Sequence, residues 1–418
     1  MTYQPNSLCS FQPSERFDFS VDLAFEANKI RSMPTKTTSF RVFPFLIIGL
    51  ALILKFFLFF FTNTHAPASK IQLDSHLYLK AGKMIAQEGV FAVHELDGRL
   101  KPVTVRTPGY PLFIALFHHF LNIPLTGIIL IQIGLTLFSA WITYKTAVLI
   151  NPRYGFLSAV IVLYDLPTTV SSLMILTESV FLVFITLFML NMVLYLKEKK
   201  LKHLAMSALL IVCAAYVRPL VFFLPVVTAL FIWVSLADAP IKKKITHVLF
   251  FLFLSYAAFL PWQVRNYRHT GQFNFSTIRT ITMDMEGVNR PSQSSTGSGT
   301  TRVLYYGREM VGGLMDLMTY PGTLKYFGSK PLKFWGKVFA YPWMIFWLTG
   351  FIVGAFRSRQ NPYLMFFLVV LMYFVAVTIG STLSSALGRF RVPMMPFLAI
   401  ISAHGWFLIM SYLRQRNK

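Results

Sequence analysis

Long apolar runs recur along most of this 418-residue chain and are separated by short polar connections. The runs fall at 42–61, 124–150, 154–172, 174–196, 203–217, 219–237, 245–262, 341–356, 362–380 and 392–412. A helix needs about 20 residues to cross the ~30 Å hydrocarbon core of a bilayer. The pattern therefore predicts an all-α integral membrane protein with about ten transmembrane helices (roughly eight to thirteen). A run at 109–121 is too short to span and predicts a juxtamembrane or tilted helix.

Lysine and arginine in the short connections predict the orientation, because these residues concentrate on the cytoplasmic side. With the N-terminus inside, the inner connections and the C-terminal end carry thirteen of them, against three in the short outer connections (Arg218, Arg389 and Arg391). We therefore expect both termini to be cytoplasmic, in a plasma or inner membrane. Two long connections, 62–108 and 263–340, then lie on the outer face.

These borders divide the chain into four parts. Residues 1–39 are polar and predict a cytoplasmic tail, with a short amphipathic helix near 17–30. Residues 40–262, including the connection 62–108, form the main membrane module. Region 263–340 contains a small polar run at 292–300 that predicts a loop tip, flanked by interfacial helices at 302–319 and 322–339. Residues 341–418 supply the last transmembrane helices.

The net charge of +23 changes this picture little. Basic residues are spread over many short loops beside apolar spans, where they orient helices and meet anionic lipid headgroups. No nucleic-acid-binding motif accompanies them, so a nucleic-acid partner is not expected. The two cysteines have no metal-ligand spacing.

The predicted topology brings eight scattered charged residues to the outer boundary of the membrane. Charge near hydrocarbon costs about 2.5–3.5 kcal/mol per residue on insertion scales, so such residues tend to be paired or functional. The eight are Asp74, Arg106, Asp165, Glu178, Arg218, Arg265, Arg389 and Arg391.

This inventory suits transfer of a sugar from a lipid-linked phosphate. Guanidinium groups bind phosphate through bidentate, permanently charged donors. A base is needed to deprotonate the acceptor hydroxyl. The leaving phosphate departs as an anion that a positive cluster stabilises, so a general acid is not required. Glycoside hydrolysis, in contrast, uses two carboxylates.

Over about residues 40–270, and more loosely over the rest of the chain, the sequence resembles the GT-C superfamily of membrane glycosyltransferases. Within that superfamily, the sequence most resembles the branch that contains dolichyl-phosphate-mannose–protein mannosyltransferases, aminoarabinose transferases and core-sugar transferases of rhizobial lipopolysaccharide. The ordered set of matches is Asp74 in the first outer connection, R-x-P-x-Y-P (Arg106, Pro108, Tyr110, Pro111), T-E (Thr177, Glu178), R-P (Arg218, Pro219), P-W-x-x-R-N-Y (Pro261, Trp262, Arg265, Asn266, Tyr267) and R-F-R-x-P (Arg389, Phe390, Arg391, Pro393).

The resemblance implies inverting transfer from a polyprenyl-phosphate sugar, with Asp74 as the catalytic base. It places Arg106, Arg265 and Arg391 on the donor phosphate, and we add Arg218 and Arg389 to that group. Supporting roles are expected for four residues: Asp165, Glu178, Tyr110 and His76. Many members carry an acidic pair where this chain has Asp74-Ser75-His76, and some carry Glu or His near Arg106-Thr107. A divalent ion therefore stays an open alternative without support, and no cofactor is expected.

Structural alternatives remain for these residues. Asp74 precedes a helical pattern and could be an N-cap. Asp165 and Glu178 could cap a helix or pair with an arginine. Arg218, Arg389 and Arg391 could reach to lipid headgroups as interface anchors.

We interpret the chain as an outer-face membrane glycosyltransferase that uses a polyprenyl-phosphate sugar. Its acceptor would be a hydroxyl on a lipid, a glycan or a protein. One alternative is an O-antigen ligase or polymerase. Another is a flippase for lipid-linked sugars, although transporters usually show repeats and charges at mid-membrane.

Overall fold

The computed structural model describes residues 42–94, 98–277, 299–319, 330–382 and 388–417. The predicted tail at 1–39 and most of the predicted loop tip lie outside these ranges. Residues Ile47–Lys418 form one compact unit. Its α-helices are α1 Val42–His65, α2 Leu73–Glu88, α3 Gly109–Ile114, α4 Leu125–Ile150, α5 Gly155–Leu163, α6 Leu166–Ser172, α7 Glu178–Glu198, α8 Leu201–Val217, α9 Leu224–Ser235, α10 Ile241–Thr270, α11 Gly299–Thr319, α12 Lys330–Arg357, α13 Pro362–Thr382 and α14 Met395–Arg416.

The all-α membrane fold is confirmed. Among the described residues, seven helices are long and apolar enough to span a bilayer: α1, α4, α7, α10, α12, α13 and α14 with the turn before it. Helices α5 and α6 are bent by 57° at Asp165 and count as an eighth span if taken together. The other two apolar runs form shorter elements, namely α8 and the 3₁₀ turn Pro219–Val221 followed by α9. Each of the ten apolar runs thus contains a helix.

Several helices extend beyond the predicted borders. Helix α10 continues to Thr270, with Pro261 inside it, and α12 begins at Lys330, well before the apolar run at 341. The predicted helix at 302–319 is present as α11. The short run at 109–121 forms α3 and a π-helical turn, Ala115–Phe120.

Aromatic side chains fill the contacts between spans. Helix α7 packs between α4 and α8, and the Phe188 ring lies 6.0 Å from that of Phe366 on α13. Phe367 in turn contacts Phe397 on α14, with ring centroids 5.5 Å apart. These rings are fully buried, which fixes the spans that carry the charged residues described below.

The connection between α1 and α4 is folded. Helix α2 ends at Gly89, whose positive φ of 69° lets its amide donate to the Ile85 carbonyl and close the last turn. A two-stranded antiparallel hairpin follows, β1 Ala92–His94 and β2 Leu100–Pro102. The chain then turns into α3, which packs against α2.

Candidate active site

Asp74 lies in the first turn of α2, whose start is fixed by other residues. Gln72 is the N-cap, and the Ser75 hydroxyl accepts a hydrogen bond from the Gln72 amide to form a capping box. The same hydroxyl donates to the Ile175 carbonyl at 2.7 Å, which ties the helix start to the segment before α7. The N-cap interpretation of Asp74 is therefore wrong, and its carboxylate is available for other contacts.

Two arginines from distant parts of the chain meet the Asp74 carboxylate. Arg106 Nη2 donates to Oδ1 at 2.6 Å, and Arg389 Nη2 lies 3.4 Å from Oδ2. The side chain of Asp74 is 25% exposed, that of Arg106 is 24% exposed and that of Arg389 is 18% exposed. Each carboxylate oxygen thus faces a guanidinium group, in a position that is partly shielded from water.

The backbone on both sides of Arg106 is held in place. Upstream, the Thr277 amide donates to the Thr104 carbonyl at 3.1 Å, and the Ser276 hydroxyl donates to the Val105 carbonyl at 2.8 Å. The segment after α10 therefore runs beside the residues that lead into Arg106. These contacts fix the approach of Arg106 to Asp74.

Downstream of Arg106, Gly109 packs directly on the end of α8. A Cβ atom at this position would lie 2.6 Å from the Tyr216 carbonyl oxygen and 2.9 Å from the Val217 nitrogen. Only glycine fits such a close approach of two backbones. The glycine of the Arg106-Thr107-Pro108-Gly109 turn thereby sets Arg106 beside the element that carries Arg218.

Arg265 lies at the base of the hairpin and not on Asp74. Its Nη1 donates to the Val103 carbonyl at 2.7 Å and its Nη2 to the Phe91 carbonyl at 2.8 Å. Its guanidinium group also stacks over Trp262, 4.7 Å from the ring centroid. The phosphate-binding role of Arg265 stays a prediction, and a role in positioning the loop accounts better for these contacts.

Three consecutive residues of one short turn each contact a different charged residue. The turn Gly388–Met394 precedes α14. Arg389 faces Asp74, and the Phe390 ring lies 5.7 Å from the Arg218 guanidinium carbon. Arg391 faces Asp165, with 3.4 Å between Nη2 and Oδ1. The late R-F-R motif is therefore the point where the predicted site residues converge.

Glu178 and Arg218 form the second pair. Glu178 opens α7, and its Oε1 lies 3.0 Å from Arg218 Nη1 at the end of α8. Glu178 is 2% exposed and the Arg218 side chain is 16% exposed, so the pair is largely shielded from water. The predicted alternative of an arginine partner for Glu178 is confirmed by this contact.

Asp165 forms the third pair and also caps α6. Its Oδ2 accepts from the Thr168 amide at 2.9 Å and from the Thr168 hydroxyl at 2.6 Å. Its partner Arg391 donates through Nη1 to the Leu317 and Met318 carbonyls at the end of α11. Arg391 is thus buried and held by one carboxylate and two backbone carbonyls, which favours a positioning role.

Lys55 belongs to the same charged region but was missed in the sequence analysis. It is fully buried in α1, donates to the Thr169 hydroxyl at 2.8 Å and has Asp165 as a charged neighbour. The sequence did indicate this residue, because a lysine inside an apolar span is costly and is therefore usually paired or functional.

Two buried tyrosines, Tyr78 and Tyr110, lie close to these ion pairs. Burial raises the pKa of the Tyr78 phenol, Arg106 and Arg218 oppose that rise, and Asp74 and Glu178 add to it. Tyr78 therefore lies in the field of both ion pairs and stays protonated near neutral pH. Nothing in the sequence pattern around Tyr78 marks it as a site residue.

Tyr110 is the predicted supporting residue of this group. Its ring meets that of Tyr78 edge-on, with centroids 5.1 Å apart. Its hydroxyl donates to Gln132 Oε1 at 2.7 Å, and Gln132 in turn donates to the Met174 carbonyl at 2.6 Å. Burial raises the pKa of Tyr110 well above its ordinary value, so it is a neutral structural donor.

His76 is exposed on α2, and none of the contacts described above involves its side chain. Within the part of the chain that the structure describes, no three His, Cys, Asp or Glu side chains are grouped to hold a metal ion. The charges at the centre of the site are one carboxylate and two guanidinium groups.

No protein-family model matches the sequence, and none of the curated proteins matches it. Solved structures do match the fold. ArnT from Cupriavidus metallidurans, bound to undecaprenyl phosphate, has a TM-score of 0.53 and 14% sequence identity, over 88% of this chain and 60% of that one. The oligosaccharyltransferase of Archaeoglobus fulgidus, in complex with Zn and sulfate, has a TM-score of 0.52 and 11% identity, over 82% and 46%.

The chain therefore has the fold of GT-C membrane glycosyltransferases, as its motifs led us to expect. It spans about 60% of the length of ArnT and less than half that of the oligosaccharyltransferase.

Proposed function

We propose that this protein is a membrane glycosyltransferase that moves one sugar from a polyprenyl-phosphate donor to an acceptor hydroxyl, with inversion. The observation that carries the proposal is the half-buried Asp74 carboxylate between Arg106 and Arg389. The shared fold of ArnT, a protein that was solved with undecaprenyl phosphate bound, supports the donor class.

Asp74 is the base in this proposal. It takes the proton of the acceptor hydroxyl while that oxygen attacks the anomeric carbon from the face opposite the phosphate. The bond between the anomeric carbon and the phosphate oxygen breaks, and the polyprenyl phosphate leaves with the electron pair. Inversion follows because the new bond forms on the face opposite the broken one.

Arg106 and Arg389 bind the leaving phosphate. Guanidinium groups keep their charge and match the phosphate oxygens bidentately, so they stabilise the negative charge that develops as the bond breaks. Arg218 is a further candidate, because Phe390 connects it to Arg389. The proposal includes no metal, since these side chains meet the charge of the leaving group.

Arg265, Glu178 and Asp165 position this centre. Arg265 fixes the loop before Arg106, and Glu178 neutralises Arg218. Asp165 holds Arg391 and thereby the turn that presents Arg389. We place the centre on the outer face of a plasma or inner membrane, because the lysine and arginine distribution favours that orientation.

The experiment is a donor screen with purified protein in lipid vesicles. A panel of polyprenyl-phosphate sugars is incubated with a membrane-lipid extract as acceptor, and the release of free polyprenyl phosphate is measured. We expect release with at least one donor, and none with Asp74→Asn. The exposed Asp238 supplies the control, because Asp238→Asn should behave as wild type. No release from any donor, together with movement of a lipid-linked sugar across the vesicle membrane, would favour the flippase alternative.

A further inference from the structure

Tyr78 lies one helical turn after Asp74, on the same face of α2. Long side chains on a helix lean toward its N-terminus, so the Tyr78 ring extends toward the turn that carries Asp74. The Tyr110 ring meets it at 77°, with the two centroids 5.1 Å apart. Because Tyr78 is only 6% exposed, its ring belongs to the packed part of the site.

The part of α2 that follows Tyr78 packs closely on α3. A Cβ atom at Gly82 would lie 2.8 Å from Ile114 Cγ2 and 3.1 Å from the Pro111 carbonyl oxygen. Ala81, next to Gly82, is fully buried. This close approach fixes α2 on α3 and thereby the direction of the Tyr78 ring.

The hydroxyl of Tyr78 differs from those of the other buried tyrosines in the described ranges. Each of those has a hydroxyl partner 2.6–2.8 Å away; the pairs are Tyr110 with Gln132, Tyr154 with His404, Tyr195 with His247, and Tyr373 with the Leu220 carbonyl. Among the described residues the Tyr78 hydroxyl has no such partner, although Arg106, Asp74, Arg218 and Glu178 all act on it electrostatically. Since a buried tyrosine usually has its hydroxyl hydrogen-bonded, this one is placed to donate to a bound molecule.

Two groups on the neighbouring Arg106 turn point to the same kind of ligand. Arg106 Nε and the Thr107 hydroxyl are buried and have no hydrogen-bond partner in the part of the chain that the structure describes. Leaving a buried donor without an acceptor is costly, so such groups tend to meet a ligand or an ordered water. Together with the Tyr78 hydroxyl they favour a ligand that carries several oxygen acceptors.

We propose that Tyr78 is a substrate-contacting residue, whose hydroxyl donates a hydrogen bond to a phosphate oxygen of the polyprenyl-phosphate donor, next to the Arg106 guanidinium group. This inference rests on the proposed function. The hydrogen bond strengthens as negative charge builds up on the leaving phosphate. Tyr78 keeps its own proton, so the acceptor proton still goes to Asp74.

Binding of undecaprenyl phosphate tests this contact without any transfer. The radiolabelled lipid is bound to wild type, Tyr78→Phe and Tyr195→Phe in detergent, and undecaprenol, which has the same chain without the phosphate, competes with it. Thermal unfolding is measured on the same preparations. Tyr195→Phe is the matched control, because Tyr195 is a buried tyrosine near the end of α7 that is opposite Glu178.

Tyr78→Phe should bind undecaprenyl phosphate about 10- to 100-fold more weakly than wild type, the range expected for losing a hydrogen bond to a charged group. Its affinity for undecaprenol and its unfolding temperature should stay unchanged, because the ring and its packing remain. Tyr195→Phe should show the reverse: a lower unfolding temperature, since the contact with His247 is lost, and an unchanged affinity for the phosphate.

Unchanged phosphate affinity of Tyr78→Phe, with slower transfer and a shifted pH profile, would overturn the contact, because the hydroxyl would then act on Asp74. An equal loss of undecaprenol affinity would overturn it too, since the variant would then disturb the lipid chain. A lower unfolding temperature of Tyr78→Phe would show that its hydroxyl has a partner within the protein, which also contradicts the proposal. These three results would leave the proposed function standing. If wild type and Tyr195→Phe both fail to bind the phosphate, the donor class and the Tyr78 contact fail together.

Discussion

Gly109 offers a test of how the Arg106 turn is positioned, because the substitution Gly109→Ala adds a single atom. The new Cβ would lie 2.6 Å from the Tyr216 carbonyl oxygen, 2.8 Å from its carbon and 2.9 Å from the Val217 nitrogen. All three are backbone atoms of the α8 end, so no flexible side chain can move aside.

The magnitude follows from these distances. Ordinary contacts between carbon and neighbouring heavy atoms begin near 3.5 Å, so the turn must move by about 1 Å. Overpacking of this kind costs about 1–3 kcal/mol of stability. A displacement of about 1 Å in a reacting group reduces turnover by about 100-fold. We therefore expect Gly109→Ala to fold with a lower unfolding temperature and to lose most of its transfer activity.

The assay pairs thermal unfolding in detergent with the release of polyprenyl phosphate from the active donor. Gly134→Ala is the matched control, because nothing lies within 4 Å of a Cβ at that position in α4. An alanine there should stabilise the helix slightly, by up to about 1 kcal/mol. Equal stability and activity of the two variants would refute the packing argument.

Three further predictions concern the surroundings of the site. Arg265→Lys removes the fork that donates to two loop carbonyls, so the hairpin should be cut faster by proteases and transfer should fall, whereas Arg268→Lys should change neither. Glu178→Gln leaves the charge of Arg218 without its buried carboxylate, so the free energy of unfolding should fall by about 3–5 kcal/mol, and an unchanged unfolding temperature would contradict the pairing. Because arginines meet the phosphate charge, EDTA should leave transfer intact, and loss of transfer that is restored by Mn²⁺ would refute that assignment.

Much of the fold could be predicted from the sequence, because a bilayer forces apolar runs into helices whose backbone groups are paired internally. Each of the ten runs contains a helix. Their ends were harder to predict, since α10 and α12 continue through polar residues where tertiary contacts decide the boundary. The 57° bend at Asp165 likewise depends on how the Asp165 side chain caps α6, which periodicity does not report.

The sequence predicted most of the residues that lie in the candidate site, but it did not predict which of them contact each other. Motifs pointed to Asp74, Arg106 and Arg389. Nothing in the sequence, however, shows that the two arginines contact the two carboxylate oxygens of Asp74. Arg265 shows the limit most clearly, because an arginine in a P-W-x-x-R-N-Y motif gives no sign that its partners are backbone carbonyls. Lys55 could have been found, since it stands alone in an apolar run.

The central claim is that Asp74 carries out the chemistry and does not merely shape the site. The most direct test is a single-turnover measurement with wild type and Asp74→Asn, in which binding of undecaprenyl phosphate and transfer from the active donor are measured on the same preparations. We predict that Asp74→Asn binds the lipid phosphate at least as tightly as wild type and transfers no sugar. Transfer by Asp74→Asn at a rate near that of wild type would contradict the account.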